Sequence, residues 1–160
     1  MDRTPLPYVS DEKLAIPEKL MHAHDELRTG FARAAREPGP LGVAARELME
    51  MCMPHFSQEE DSAFRVFGML HDVMAGRARL DTGVRNPMLA ELRELHDASR
   101  GHHRGLNAAT EALLQRANEE KNIAIARLAQ GLKHHEKIED KMVYPTIHLI
   151  DESLLRILET

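Results

Sequence analysis

Histidine is the residue type most able to do chemistry in this chain, since 10 of the 160 residues are histidine. A helix turns by about 100° per residue, so side chains on one face can be identified from their spacing. On that basis, each of four helical segments carries a histidine on its apolar face. Two of these histidines are followed four residues later by a glutamate on the same face. The six residues are His24, His55, Glu59, His96, His135 and Glu139.

The same order of residues occurs twice, as a histidine followed later by the motif HxxxE. In an antiparallel pair of helices, residues at one height are equidistant from the connecting turn. The midpoint of the first histidine pair falls within Pro38-Gly39-Pro40, and that of the second pair falls next to residues 116–118. We therefore predict that the four histidines lie at one level of a helical bundle.

Four buried imidazoles and two buried carboxylates are costly unless they have partners, because burying an unpaired polar group costs several kcal/mol. A pair of metal ions removes that cost. Glu59 and Glu139 could each bridge both ions while each ion takes two imidazoles. Imidazole and carboxylate ligands suit iron, manganese or zinc, and redox iron is the usual occupant of such sites in helical bundles. The predicted cofactor is two iron ions, oxo- or hydroxo-bridged.

The remaining histidines receive separate interpretations. His103 lies seven residues after His96, about 10.5 Å along a helix, and is interpreted as a core or channel histidine. The alternative for His103 is an additional ligand or a residue that orients one, and His71 is a further candidate ligand. Surface positions, or positions behind a ligand, are predicted for His22, His102, His134 and His148. Glu60 and Asp140 are interpreted as solvated, with the alternative that either orients an imidazole.

Other catalytic motifs are missing from the sequence. No histidine follows a glutamate at the Glu-x-x-His spacing of ferritin-like bundles. His135-Glu136 is not continued into the H-E-x-x-H motif of zinc proteases. There is no glycine-rich phosphate loop, and the lone Cys52 has no evident activating base.

The pattern H…HxxxE…H…HxxxE resembles the hemerythrin-like, HHE cation-binding family over about residues 18–145. The segment H-H-E-K-I-E-D-K-M-V-Y-P is similar to the last ligand helix of that family, and H-F-S-Q-E-E-D to its second-helix motif. The resemblance implies ligand roles for the six residues identified above. The chain differs from the oxygen-carrying hemerythrins, which have two histidines one turn apart on the third helix. Here Arg100 lies one turn after His96.

The resemblance implies a non-heme di-iron protein that binds and reacts with O₂ or peroxide, with catalase-like turnover or peroxide reduction as the leading activity. One alternative is a module that binds O₂ or NO reversibly, or senses iron or oxygen, without turnover. Another is an inert structural metal site. The expected partner is a small ligand: O₂, peroxide or NO.

The elements that must position these residues are helices, because apolar residues recur at spacings of three and four and β-branched residues are sparse. We predict an all-α, up-down-up-down four-helix bundle with a short extra C-terminal helix. The first helix is predicted from Pro17 to Arg36, and the second from Leu41 to Gly76, with a break at Pro38-Gly39-Pro40 between them. Asn86-Pro87 opens the third helix, which ends at a turn over Arg116–Asn118. The fourth helix then runs from Glu119 and Glu120 to near Tyr144, before Pro145, and Thr146 caps the last helix.

The link between the two halves requires an interruption. His55 lies 20 residues before Ala75, whereas His96 lies only 9 residues after Pro87. A straight second helix would overshoot the start of the third by roughly three turns. We therefore predict a break near residues 64–68, after which the chain folds back over the end of the bundle.

Length and composition limit the remaining possibilities. The chain is predicted to be one domain over residues 1–160, with an N-terminal extension at 1–16, the metal-binding bundle at 17–145 and the C-terminal helix at 146–160. A net charge of -5 argues against nucleic acid or an anionic membrane as a partner. One cysteine permits no internal disulfide. No signal-like or membrane-spanning apolar run is found, so the expected compartment is the cytoplasm.

Overall fold

Four helices account for most of the chain that the computed structural model describes, which is residues 18–65, 67 and 103–150. They are α1 (Glu18–Ala34), α2 (Gly39–Asp61), α3 (residues 103–119) and α4 (Ile123–Ile138). Within these ranges there is no strand, and the fold is the predicted all-α helical bundle. α1 packs against both α2 and α4. None of the described helices is both long enough and apolar enough to cross a membrane.

The first connection has the predicted length of four residues but lies two residues earlier. Residues 35–38 form the turn, and Gly39 and Pro40 already belong to the first turn of α2. Proline is tolerated there because the first helical amides have no partner within the helix. Gly39 adopts a positive φ of 79°, which a residue without a side chain accepts readily.

α2 is interrupted at Ser62, a few residues before the predicted break at 64–68. Ser62 leaves the helical region with φ of -131° and ψ of -76°. Its hydroxyl donates to the carbonyl of Gln58 at 2.5 Å, which competes with the regular helical hydrogen bonds. Residues 63–65 are helical again. The predicted fold-back lies outside the described residues, as do the ends predicted at Gly76 and Asn86-Pro87.

The second described connection differs from the prediction. Residues 116–118 are helical, α3 continues to Glu119, and the turn is formed at Glu120 and Lys121, where Lys121 has a φ of 57°. Asn122 begins α4 by accepting a hydrogen bond from the amide of Ile125 at 3.2 Å. The prediction was wrong because α3 still has an inward face there: Ala117 is fully buried, one turn beyond the equally buried Leu113.

The end of α4 also differs in detail from the prediction. A π-helical turn over Glu139–Val143 follows α4, and residues 144–150 are helical without any break at Pro145. In a regular α-helix the proline ring would collide with the carbonyl four residues earlier. A widened turn directly before the ring is a known way to relieve such a collision.

Two apolar clusters lie along the bundle and enclose a polar layer. The larger cluster contains Phe31, Leu48, Leu106, Leu113 and Leu132. The smaller one contains Ala63, Phe64, Val143 and Ile147. Along α2, and along α4 with the π-helical turn that follows it, the histidine and glutamate of each HxxxE motif fall between residues of the larger cluster and residues of the smaller cluster. The polar layer is therefore surrounded by apolar side chains at both ends.

Candidate metal centre

Six side chains from four helices converge in this layer and form two groups of four. Site A consists of His24, Glu59, His135 and Glu139, and site B consists of His55, Glu59, His103 and Glu139. In each group, one ligand atom from each residue lies within 4.8 Å of the others. All six residues are buried. Glu59 and Glu139 belong to both sites.

Site A is formed by α1, α2 and the C-terminal end of α4. The Nε2 atoms of His24 and His135 face each other at 2.9 Å. The Oε1 atom of Glu139 lies 2.8 Å from Nε2 of His135, and Oε2 of Glu59 lies 3.5 Å from Nε2 of His24. Two imidazoles and two carboxylates therefore surround a single point.

Site B has the same composition, but its histidines come from α2 and the first described turn of α3. The Nε2 atoms of His55 and His103 are 3.1 Å apart. The Oε1 atom of Glu59 lies 3.4 Å from Nε2 of His55, whereas Oε2 of Glu59 faces His24. The two oxygens of Glu59 are thus directed to different sites, which is the arrangement of a bridging carboxylate.

An outer carboxylate orients one imidazole in each site. The Nδ1 atom of His24 donates to Oε1 of Glu60 at 2.7 Å, and that of His103 donates to Oδ1 of Asp140 at 2.8 Å. Because a carboxylate only accepts, each Nδ1 carries a proton, and this assignment directs Nε2 toward the site. The guanidinium of Arg28 also pairs with Oε1 of Glu60, at 2.8 Å.

Aromatic rings hold His24 in place. The Phe56 ring stacks on the imidazole with 4.2 Å between centroids and 19° between planes, and Phe64 lies at 5.0 Å. Arg28 lies over the Phe56 ring, with its guanidinium carbon 5.7 Å from the ring centroid. If the His24 side chain rotated out of this position, it would lose both the stacking on Phe56 and the hydrogen bond to Glu60.

The π-helical turn brings Tyr144 to the centre. In an α-helix, residues five apart differ by about 140° around the axis, so Tyr144 would point away from the direction of Glu139. In the wider turn the amide of Tyr144 bonds to the carbonyl of Glu139, and residues five apart are stacked. The buried Tyr144 hydroxyl donates to Oε1 of Glu59 at 2.6 Å.

The electrostatics of the layer show strong coupling between its charges. Burial by itself lowers the pKa of His24, but the nearby carboxylates of Glu139, Glu59 and Glu60 outweigh burial and raise that pKa to about 9. Burial raises the pKa of Glu139, yet His135 and His24 outweigh burial and lower it to about 2. The carboxylates of the layer therefore favour a positive charge between them.

A third carboxyl group lies near the layer without any partner. Glu136 is buried, and neither of its oxygens has a hydrogen bond. Burial, and then the charges of Glu139, Asp140 and Glu59, raise the pKa of Glu136 to about 8. Cys52 is buried too, and burial together with the charge of Glu136 raises the pKa of its thiol to about 12. This thiol is therefore not a nucleophile at neutral pH.

The donor set fits a pair of metal ions. Two ligands at right angles, each at about 2.1 Å from an ion, lie about 3.0 Å apart. The Nε2–Nε2 distances of 2.9 and 3.1 Å match that separation. Oε2 of Glu59 and both oxygens of Glu139 are buried and accept no hydrogen bond, so they remain available to a cation.

A comparison with protein families agrees with this geometry. The family model described as the hemerythrin HHE cation binding domain matches residues 15–147. The chain belongs to the hemerythrin HHE family. Searches of curated proteins and of solved structures found no significant match.

Five of the six residues predicted as ligands meet in the polar layer of this HHE domain: His24, His55, Glu59, His135 and Glu139. The sixth, His96, lies outside the described residues, as do His71 and His102. The structure places His103 opposite His55, at the position of a ligand, rather than elsewhere in the core. His22, His134 and His148 are exposed, as the prediction allowed.

Sequence reasoning missed several residues of this HHE centre. Glu60 is mostly buried and orients His24, which is the alternative interpretation of this residue. Asp140 orients His103 while its side chain is 50% exposed, so it is both solvated and an orienting residue. Arg28, Glu136 and Tyr144 received no role. Tyr144 could not be placed by helical spacing, since the π turn changes its direction. One signal for His103 was present in the sequence. Asn122 is a good helix-capping residue, and if the turn lies next to it, the residue at the level of His135 on the preceding helix lies closer to His103 than to His96.

Proposed function

We propose that this HHE domain holds two iron ions, one in site A and one in site B, and reacts there with O₂ or peroxide. His24 and His135 would bind one ion, His55 and His103 the other. Glu59 and Glu139 would bind both. A pair of iron ions supplies two redox-active centres next to each other, suited to two-electron chemistry on a small oxidant.

The observation that carries the proposal is the sharing of Glu59 and Glu139 between two groups of the same composition. A single structural ion would need only one such group. Each group contributes four protein atoms, fewer than an octahedral ion takes, so an exogenous ligand has room at both ions. The oxygen carriers of the family instead add a third histidine to one iron, which favours reversible binding.

The residues around the ligands would orient the imidazoles and enclose the two metal sites. Glu60 and Asp140 keep Nε2 of His24 and of His103 directed inward. The hydroxyl of Tyr144 holds a proton at Oε1 of Glu59, beside the histidines of site B. The apolar clusters on both sides restrict access by water. These features support a small, uncharged or weakly charged substrate over a large one, and nucleic acids and membranes are not proposed as partners.

The decisive experiment combines metal analysis with optical spectroscopy. Protein expressed in iron-rich medium is analysed for iron per chain, reduced without oxygen, exposed to O₂ and then evacuated. Peroxide consumption is measured in a separate assay, with the Glu59→Gln, Glu139→Gln double variant as the control. We expect about two iron ions per chain, a lasting ferric spectrum after O₂, and peroxide consumption that the double variant lacks.

Two results would contradict the proposal in different ways. One tightly held zinc, unaffected by the double variant, would indicate a structural site. Full recovery of the ferrous spectrum over repeated cycles, without peroxide consumption, would indicate a reversible O₂- or NO-binding module or a sensor.

A further inference from the structure

The two metal positions have the same ligand types but different surroundings. Each shared glutamate is followed by an outer carboxylate, Glu60 after Glu59 and Asp140 after Glu139. Each outer carboxylate accepts a hydrogen bond from the Nδ1 atom of one histidine. What differs is how firmly that carboxylate is itself held.

The outer carboxylate of site A is fixed. The Glu60 side chain is 16% exposed, and Arg28 pairs with the same oxygen that accepts from His24. Arg28 in turn lies over Phe56, whose ring stacks on the His24 imidazole. Arginine, carboxylate, imidazole and phenyl ring therefore form one closed set of contacts, in which each side chain touches two of the others.

The outer carboxylate of site B, Asp140, has fewer contacts that fix its orientation. The Asp140 side chain is 50% exposed, and no arginine or lysine of the described residues pairs with it. Water competes for an exposed carboxylate and screens its charge, so its hold on His103 is weaker. The orientation of His103 is therefore less well determined before metal binds.

The shared carboxylate adds to this difference. Oε2 of Glu59, on the side of His24, accepts no hydrogen bond. Oε1, on the side of His55, already accepts one from Tyr144. An oxygen engaged by a phenol donates less electron density to a cation, so the same glutamate is the weaker ligand at site B.

From these three observations we infer that the two positions have unequal metal affinity. Site A fills first and retains its ion, while site B binds more weakly and exchanges its ion with the surroundings. The inference rests on the proposed ligand sets of the two sites. Loss of an outer hydrogen-bonding partner typically reduces metal affinity by about 10- to 100-fold, and a difference of about tenfold or more is expected here.

The test uses the full-length, metal-free protein and Co²⁺, whose visible absorption reports binding. Two ions in adjacent positions repel each other, so stepwise affinities of the parent protein alone cannot rank the sites. Variants with one site remaining avoid this problem: His103→Ala leaves site A, and His24→Ala or His135→Ala leaves site B. The exposed His22→Ala variant is the control, and circular dichroism checks that each variant is folded.

We expect one equivalent of Co²⁺ in each single-site variant, bound at least about tenfold more tightly by His103→Ala than by His24→Ala and His135→Ala. In the parent protein, Glu60→Gln should weaken the first equivalent by about tenfold, and Asp140→Asn should affect only the second, by less. These two substitutions are at partly exposed positions, so they test the inference even if a histidine variant fails to fold.

Equal affinities in the single-site variants, or a tighter site B, would overturn the inference while leaving the proposed two-metal centre intact. Absence of Co²⁺ binding in the control, or one equivalent unaffected by any of the histidine substitutions, would contradict the proposed ligand sets and the inference with them.

Discussion

Neighbouring histidines in this chain differ sharply in environment. His134 and His135 are adjacent, yet the first is exposed and the second lies in the polar layer. His22 and His24 are two residues apart, and the side chain of His22 is 72% exposed while that of His24 is fully buried. Helical phase alone separates them, because a shift of one residue turns a side chain by about 100°.

The first prediction uses these neighbours as matched controls. His24→Ala or His135→Ala should lower the metal content by about half or more, because each removes an inward ligand. His22→Ala or His134→Ala should leave it unchanged. Metal per folded chain, measured by mass spectrometry after gel filtration, distinguishes the two outcomes. Equal loss in all four variants would mean that the helix phases are wrong.

A second prediction decides between two assignments of the fourth histidine. Spacing from the presumed turn at residues 116–118 favoured His96, whereas the structure places His103 beside His55. We expect His103→Ala to lose one metal equivalent and His96→Ala to retain both. Metal loss in the His96 variant alone would restore the assignment made from the sequence.

The third prediction concerns Glu136, which has no role in the proposed ligand sets. Its carboxyl has a pKa of about 8 in the folded protein, against 4.5 in an unconstrained chain. The unfolded state therefore loses its proton first as the pH rises, and the folded state is progressively destabilised between pH 4.5 and pH 8.

Replacing Glu136 by glutamine should remove this pH dependence. Relative to the parent, the free energy of unfolding of metal-free Glu136→Gln should increase by about 3–4 kcal/mol between pH 5 and pH 8, since one pKa unit corresponds to about 1.4 kcal/mol. Urea titrations at the two pH values measure it. A difference that stays constant with pH would show that Glu136 ionises normally in the folded protein.

At the scale of the helices, the sequence predicted the number, order and inward faces of the elements but not all of their boundaries. Proline and glycine predicted the first connection to within a few residues, because Pro38 restricts the allowed backbone angles and Gly39 permits a positive φ. The connection after α3 carries no such pair, and polarity alone put it about three residues early. The position of the turn matters for the fourth histidine because the level of a ligand is measured from the turn. The earlier turn favours His96, and the later turn brings His103 closer to the level of the ligands.

The start of α2 provides a prediction about an element. Gly42 is buried, and a Cβ atom at this position would overlap the backbone carbonyl of Glu37. Backbone cannot move aside as a side chain can, so Gly42→Ala should destabilise the protein by about 1–3 kcal/mol.

Gly131→Ala is the matched control in α4, because no atom lies within 4 Å of the position of its Cβ. There the gain in helix propensity should stabilise the protein by about 0.5–1 kcal/mol. Thermal unfolding followed by circular dichroism compares the two variants. A neutral Gly42→Ala would show that the connection before α2 can shift.

At the scale of the whole molecule, the polar layer divides what would otherwise be one apolar core. Buried carboxylate oxygens without hydrogen bonds, one on Glu59 and two each on Glu136 and Glu139, lie between the two clusters. Unpaired polar groups in such a place reduce the stability of the metal-free bundle. Metal binding and folding are therefore coupled.

The last prediction follows from that coupling. An ion present at 100 times its dissociation constant stabilises the folded state by about 2.7 kcal/mol, which raises the Tm of a protein of this size by roughly 5–11 °C. Scanning calorimetry with and without a chelator should show a decrease of at least this size on metal removal. The Glu59→Gln, Glu139→Gln double variant should have a Tm that the chelator does not change; equal decreases in both proteins would mean that the chelator acts elsewhere.

The π-helical turn after Glu139 has a consequence for recognising similar centres in other chains. Because that turn holds one extra residue, the tyrosine that reaches the shared carboxylate lies five residues after the glutamate of HxxxE, not four. An alignment that assumes four residues from the glutamate to the tyrosine would therefore place this tyrosine one residue out of register. The spacing E-x4-Y followed by proline is therefore a signature of the widened turn that can be sought in sequences alone. Deleting one residue between Glu139 and Tyr144 should replace the widened turn by a regular α-helical turn, with the tyrosine still on the face of Glu139 and the six ligands in the same order.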